Sequence, residues 1–526
     1  MSSPSKNRSR IGRREFLRLA GGAGAALAVG QAACGTAAGG GQPPVAGEPH
    51  ILLLMTDQQR WDTVGAFGNP AIHTPNMDRI AAGGVRFERA YTSVPSCTPA
   101  RAGLLTGQSP WRHGMLGYGR VAERYEFEMP RMLREAGYYT FGIGKMHWYP
   151  ERIVHGFHGT LLDEALRRET DGFISDYHQW FSEVAPDLDP RATGIGSNSY
   201  RAAPYALPGE LHPTTWTGDR AVELIEGYGR SEPLFLKVSF HRPHSPYDPP
   251  ARFWTRYLET DLPRPVIGEW AGKYSEPAED FGYSTWKGKL SYGDTMRARR
   301  GYYGSVSFVD EQIGRIFAAL ERRGMLDNTL VIFCTDHGDM LGDHNLWRKT
   351  YAYEASARSP MMLRWPKSWG MEDKRGTALA QPVELRDILP TMLDAVGENV
   401  PAAMDGASLL SLVRGDNTGW RDWIDLEHFR CYDEVNHWNA LTDGRWKYVF
   451  SAYDGSEQLF DIENDPGESR DLAAEPQHRN RLSEWRGELI SHFIGRGEPF
   501  VRDGRLLVRK DTGMLYSPHY PGAKES

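Results

Sequence analysis

Three short, unbroken apolar runs constrain the fold of this 526-residue chain more tightly than any other feature. His50-Ile51-Leu52-Leu53-Leu54-Met55, residues 234–240 and Thr329-Leu330-Val331-Ile332-Phe333-Cys334 show little of the alternation expected of a half-exposed strand. They read as strands buried on both faces, and residues 138–143 form a weaker fourth. Helical patterns occupy residues 76–82, 129–136, 219–228 and 306–323. Strands alternating with helices predict an α/β fold, a large and mostly parallel sheet flanked by helices.

Each run also ends in reactive side chains. Asp57 and Gln58 follow the first, and Asp336-His337-Gly338-Asp339 follow the last. His244 follows the middle run, while Lys145 and His147 follow the weaker one through Gly144. Ligands of open α/β sheets bind outside the carboxyl ends of the strands, so acid, amide, imidazole and ammonium groups should gather at one edge. His241, in the same middle segment, is read as an ordinary loop histidine.

Between the first and fourth of these strands lies Cys97-Thr98-Pro99-Ala100-Arg101, continued by Leu104-Leu105-Thr106-Gly107. The segment resembles the C-x-P-x-R signature of the type I sulfatases, members of the alkaline-phosphatase-like superfamily. The likeness extends over most of the chain beyond residue 48. Pro99 suits the first turn of a helix. Residue 97 would then sit at a helix N-terminus, where free N–H groups favour an anionic oxygen. The resemblance implies that Cys97 is oxidised to formylglycine (3-oxoalanine), whose hydrate attacks sulfur with one hydroxyl and expels sulfate with the help of the other. It also implies a formylglycine-generating enzyme as a maturation partner. Arg101, one turn on, is expected to reach back to the oxygens of residue 97.

By the same resemblance Asp57, Gln58, Asp336 and His337, together with residue 97, hold one divalent cation. Gln58 and His337 depart from the commoner Asp and Asn and are similar instead to choline sulfatases and phosphonate monoester hydrolases. The oxygen donors suit Ca²⁺, and the imidazole admits Mn²⁺ as the alternative. Lys145 and His147 match the family's Gly-Lys-x-His segment, which implies that Lys145 binds sulfate and His147 handles the hydrate's proton. His244 matches Pro-His-x-Pro and is assigned to sulfate or to the leaving oxygen. Lys349, at the end of His344-Asn345-Leu346-Trp347-Arg348-Lys349, is assigned to the substrate and to charge on the departing oxygen. Arg348 is a weaker substitute for that role.

Composition narrows the partners. A net charge of −7 gives no basic footprint, so nucleic acid is not expected. An anionic substrate must therefore be held by local cations. Cys34, Cys97, Cys334 and Cys431 are the only cysteines, too few for a disulfide framework. Residues 1–48 read as a twin-arginine-type signal and spacer. Arg13-Arg14-Glu15-Phe16-Leu17 precedes a glycine-rich apolar stretch too short to span a membrane. The expectation is export through the twin-arginine translocase, periplasmic or extracellular, with cleavage of the leader. Cys34, in the lipobox-like Ala32-Ala33-Cys34, leaves a membrane-anchored lipoprotein as the alternative.

Residues 49–417 read as a sulfatase-like catalytic domain, and 418–526 as a smaller α+β subdomain carrying an antiparallel sheet. In the latter, Arg445-Trp446-Lys447-Tyr448-Val449-Phe450 and Gln458-Leu459-Phe460-Asp461 flank a turn at Asp454-Gly455, and a helix is expected near 478–493. The resemblance implies a small-molecule or carbohydrate sulfate ester as substrate, with aryl, choline and sugar esters all open. Trp61, Trp148, His155, Trp347 and Tyr351, with segment 427–438, are candidates for the leaving-group pocket. Two rivals stand beside the sulfatase reading. One is a phosphonate monoester or phosphodiester hydrolase using the same aldehyde and metal. The other is a catalytically silent binding protein, which would be expected to lack a nucleophile, ligand or cation.

Overall fold

A computed structural model of the chain describes residues 48–164, 170–278 and 285–522. Arg13, Arg14 and Cys34 lie outside these residues. The main sheet is built from β1 (His50–Asp57), β2 (Val85–Tyr91), β3 (Tyr139–Gly144), β4 (Gly159–Leu162), β5 (Leu234–Pro243), β6 (Thr329–Thr335), β7 (Met361–Arg364) and β8 (Thr377–Glu384). Their order is β4-β3-β5-β1-β6-β7-β2-β8. β7 runs antiparallel to β6 and β2, and the other pairings are parallel. The mostly parallel sheet expected from the sequence is therefore present.

The central position of β1 explains its unbroken apolar run. Ile51, Leu53 and Met55 enter one hydrophobic core, whereas Leu52 and Leu54 enter the other. Burial of each such side chain contributes about 1.5–3 kcal/mol. β5 and β6, which pair with β1 on either side, share this two-faced burial. By contrast β2 is only partly buried, and its sequence carries Arg86, Glu88 and Arg89 on the less covered positions.

Two helices begin earlier than their patterns predict. The helix expected over 306–323 spans Tyr292–Arg322, and that expected over 219–228 spans Pro213–Glu226. Gly301 and Gly304 interrupt the apolar periodicity of the first. A Cβ on Gly301 would stand 2.8 Å from Ala202 Cβ, and one on Gly304 would stand 2.8 Å from Pro249 Cγ. Close approach of the neighbouring segment therefore requires glycine where the pattern wants a larger residue. In the second helix, Pro213 takes the first position and the His212 ring accepts a hydrogen bond from Thr214 N–H.

A second sheet follows in the order β12-β11-β10-β9, made of β9 (Ile424–His428), β10 (Trp438–Thr442), β11 (Trp446–Ser451) and β12 (Glu457–Asp461), all antiparallel. The helix Arg479–Ile494 covers one face through Leu482, Trp485, Leu489 and Phe493. The other face packs on Met340, Leu346, Tyr351 and Tyr353, and so borders the carboxyl end of β6. The last segment returns to the main body, where Leu116 N–H donates to Leu515 O and Tyr516 stacks on Tyr520.

Candidate active site

The segment after β2 leads into a helix, Cys97–Thr106, whose first residue is Cys97. Ser96 is its N-cap in extended backbone, yet the Ser96 hydroxyl does not cap the helix. It pairs instead with His428 Nε2, 2.9 Å away on β9. The first turn is thereby left open toward the sheet edge. Cys97 is 2% exposed. Its Sγ lies 3.2 Å from His337 Nε2 and 3.9 Å from Asp57 Oδ1.

Asp57, Cys97, Asp336 and His337 place one ligand atom each within 4.8 Å of one another, and all four are buried. His337 Nδ1 is 2.9 Å from Gly338 O, which places its proton there and leaves the Nε2 lone pair on the cluster side. Gln58 donates from Nε2 to Asp339 Oδ2 at 2.6 Å, so its other end, Oε1, is the acceptor that meets Lys349 Nζ at 2.7 Å. Two carboxylates, an imidazole nitrogen and an amide oxygen thus present acceptors to one neighbourhood. This donor set fits a hard or borderline divalent cation.

Positive groups surround the carboxylates. Arg101 is fully buried, with Nε 2.9 Å from Asp336 Oδ2 and Nη2 3.2 Å from Asp57 Oδ2. Its Nη1 donates to Lys145 O and to Ser239 Oγ. Its hydrogen bonds thus go to the two carboxylates, to Lys145 O just after β3 and to Ser239 Oγ within β5, and not to the Cys97 thiol. Lys145 Nζ sits 2.5 Å from Asp57 Oδ2. Burial alone would push the Asp57 carboxyl up, but the charges of Lys145 and Arg101 bring it well below the usual range. Burial and Asp57 push the Cys97 thiol up, and Lys349, Lys145 and His337 more than offset them.

The turn after β3 is set by Gly144, at φ 93°, where a Cβ would collide with Ser239 O at 2.1 Å. Beyond it Glu164 accepts the N–H groups of Met146 and His147, holding His147 at φ 64°. His147 Nδ1 is buried without a hydrogen-bond partner. β1 and β5 slip register at Asp57, which pairs with Pro243 where Thr56 pairs with Phe240. The slip lets His244 N–H donate to Asp57 O. Its Nδ1 lies 2.9 Å from Ser245 O and its Nε2 3.1 Å from Lys349 Nζ. Burial and Lys349 hold His244 well below its ordinary pKa, so it is neutral.

All ten residues expected at the site, Asp57, Gln58, Cys97, Arg101, Lys145, His147, His244, Asp336, His337 and Lys349, thus meet at one sheet edge. A cavity of about 320 Å³ opens there, lined by Cys97, Lys145, His147, His244 and Lys349 among others. His241 corrects its reading as a loop residue. It is the eighth residue of β5, buried, and its ring centroid is 4.8 Å from that of His244.

The proposed leaving-group tryptophans and their neighbours are packing groups. Trp61 lies under Arg358, Trp148 packs on His155 and Phe157, and Trp347 stacks near Tyr200. Tyr351 lines a separate cavity of about 450 Å³. Tyr118, Asn198, Arg348 and Tyr432 line the site cavity in their place. Tyr432 comes from segment 427–438, as the sequence suggested for that stretch. Asp339 was missed as a positioning residue. It accepts from Gln58, Tyr247, Leu341 N–H and Arg348 N–H, partners that only the folded chain assembles.

Comparison with known proteins gives this geometry a family. The sulfatase family model matches residues 49–398, and a model for the C-terminal part of N-sulphoglucosamine sulphohydrolase matches residues 342–492. An arylsulfatase of Clostridium perfringens is 39% identical over 472 residues, covering 88% of this chain and 97% of its own. A choline-sulfatase of Rhizobium meliloti is 32% identical over 455 residues, covering 82% and 83%. The solved phosphonate monoester hydrolase of Agrobacterium radiobacter superposes with a TM-score of 0.70 at 25% identity, covering 84% of this chain and 95% of that one. The chain belongs to the sulfatase family of the alkaline-phosphatase-like superfamily and is a sulfuric ester hydrolase.

Proposed function

We propose that this enzyme hydrolyses sulfate monoesters, aryl esters foremost, at residue 97 after its oxidation to formylglycine. One divalent cation, Ca²⁺ or alternatively Mn²⁺, would be held by Asp57, Gln58, Asp336 and His337 with residue 97. The observation that carries the reading is the convergence of Cys97, at an uncapped helix start, with two carboxylates, an imidazole and two lysines in one buried cluster. The likeness to an arylsulfatase over nearly the whole chain supports the ester class. When bound, the cation supplies Lewis-acid chemistry, and formylglycine supplies an oxygen nucleophile with a second hydroxyl that a thiol lacks.

The chain's own residues do the rest. Lys145, clamped to Asp57, and Lys349, between Gln58 and His244, hold the sulfate oxygens with two ammonium groups. Lys145 and Lys349 are buried, and such fixed, desolvated charges stabilise the charge that develops on the departing oxygen. His147, fixed by Glu164, exchanges a proton at its unpartnered Nδ1. His244 carries its proton on Nδ1 and accepts from Lys349 at Nε2, so it orients that ammonium toward the leaving oxygen. Arg101 positions Asp57 and Asp336. A formylglycine-generating enzyme matures Cys97, and residues 1–48 direct export through the twin-arginine translocase to the periplasm or beyond, with lipidation of Cys34 the alternative to simple cleavage.

Mass spectrometry of the peptide spanning residues 90–101, from protein made in its own host, tests the maturation directly. An aldehyde in place of the thiol is expected, and Cys97→Ala should abolish turnover of an aryl sulfate with the fold intact. Full activity in Cys97→Ala would end the reading. A phosphonate monoester consumed faster than the sulfate with the same leaving group would assign the enzyme to phosphonate chemistry instead.

A further inference from the structure

His241 lines the site cavity beside Lys145, His244 and Lys349, but takes no part in the chemistry proposed for them. Its Nδ1 lies 2.7 Å from Arg242 Nη1. A guanidinium only donates, so Nδ1 is the acceptor and the ring carries its proton on Nε2. Arg242 is itself fixed. Its Nε and Nη2 both donate to Asp248 Oδ1, at 3.0 and 2.7 Å, and both side chains are buried. A second proton could enter the His241 ring only at Nδ1, where Arg242 already sits. Burial and the charge of Lys145 act in the same direction, so the imidazole stays neutral. Among the described residues no hydrogen-bond partner meets Nε2. The ring therefore offers the cavity one N–H whose proton is set by the fold.

We propose that His241 is a substrate-binding residue, donating from Nε2 to a non-bridging oxygen of the sulfate group. The proposal deepens the sulfate-ester reading and rests on it. Placement favours the sulfate over the departing oxygen. Lys145 N–H bonds Ser239 O, two residues before His241 on β5, so the ring stands on the Lys145 side of the cavity. The departing oxygen belongs to Lys349 and the His244 ring that orients it, whose centroid is 4.8 Å from that of His241. A neutral donor also suits the group it meets. A sulfate monoester carries one negative charge and already faces two ammonium groups, so a further N–H fills a lone pair without burying a third cation.

The experiment measures kcat/KM on 4-nitrophenyl and phenyl sulfate, and inhibition by inorganic sulfate, for the matured wild type, His241→Phe and His241→Gln. Loss of a hydrogen bond to a charged group should cost His241→Phe at least about tenfold on both esters. Inhibition by inorganic sulfate should weaken by a similar factor, because the contact is to the part that ester and product share. His241→Gln, whose amide N–H stands near the place of Nε2–H, should recover most of both losses. An undiminished kcat/KM in His241→Phe overturns the proposal, as does unchanged inhibition by inorganic sulfate. A loss that grows from 4-nitrophenyl to phenyl sulfate also overturns it, since that puts the contact on the departing oxygen. A crystal structure of metal-loaded Cys97→Ala with 4-nitrophenyl sulfate keeps His241 intact and so guards against misfolded variants. Nε2 should lie within about 3.2 Å of a sulfate oxygen, and a separation too long for a hydrogen bond refutes the contact. If the matured wild type hydrolyses neither ester, the sulfate reading fails first and takes this proposal with it. If the wild type hydrolyses both and His241→Phe does so equally well, this proposal alone fails.

Discussion

Replacing Arg101 with methionine removes a charge from the centre of the site while keeping much of its volume. The guanidinium is fully buried and joins Asp57 at the end of β1 to Asp336 after β6, with further bonds to Lys145 O after β3 and Ser239 Oγ within β5. At an effective dielectric of about 20, each charge pair some 4 Å apart is worth about 4 kcal/mol. Desolvation offsets much of that, and removing one member of a buried pair typically costs about 3–5 kcal/mol. Arg101→Met should therefore lose about 3–5 kcal/mol of stability in chelator. The same substitution makes the carboxylate cluster more negative, so a divalent cation should bind the variant more tightly. Because an ion that binds only the folded state adds stability as its affinity rises, excess Ca²⁺ or Mn²⁺ should recover more stability in the variant than in the wild type. Urea unfolding of both proteins, with chelator and with each ion, measures this coupling. Equal losses in both conditions, or no stabilisation of either protein by either ion, would refute the reasoning.

Two further outcomes are expected. Burial pushes the Glu164 carboxyl from 4.5 up to about 7, against the pull of Lys145 and the Met146 N–H. The folded protein then keeps a proton that the unfolded chain has lost, so this contribution is full below about pH 4.5 and disappears as pH rises through 7. Its size is up to about 3 kcal/mol. Glu164→Gln retains a carbonyl acceptor without the titration, so the wild type should lose stability relative to it between those pH values. Parallel urea-midpoint curves would reject the argument. Replacing both Arg13 and Arg14 with lysine should leave the protein in the cytoplasm on fractionation, and normal export of the double variant would dismiss the twin-arginine assignment.

What could be read from the sequence was set by how fully each element is buried. β1, β5 and β6 are covered on both faces, so their runs are unmistakable, and the groups at their carboxyl ends followed directly. β2, β4, β7, β8, β9 and β10 were not read. β2 is only partly covered and carries charges, and β7 is four residues long. The glycines of Tyr292–Arg322 hid its first half because they answer to a neighbouring segment, which no local pattern reports. The groups expected at the site were legible as motifs, but their supports were not. Asp339 holds Gln58 across 281 residues, and Asn436 Nδ2 and Trp438 Nε1 reach Thr350 from the second sheet. Such pairings leave no periodicity. His241 was misread because the extra length of β5 comes from a register slip at Asp57.

The clasp of the second sheet on the start of the Cys97 helix has a consequence for timing. Glu427 N–H bonds Ser93 O and His428 bonds Ser96, and Cys97 beneath them is 2% exposed. Ser96 and His428 stand 332 residues apart in the chain. Synthesis at about 5–20 residues per second puts roughly 20–60 s between the emergence of the thiol and that of the strand that seals it. The proposed maturation of residue 97, which needs the thiol uncovered, would have that interval to run in, on the growing chain. Finished protein that missed it would carry an intact, enclosed cysteine, and the fraction of active molecules in a preparation would record how fast the ribosome ran against the oxidant.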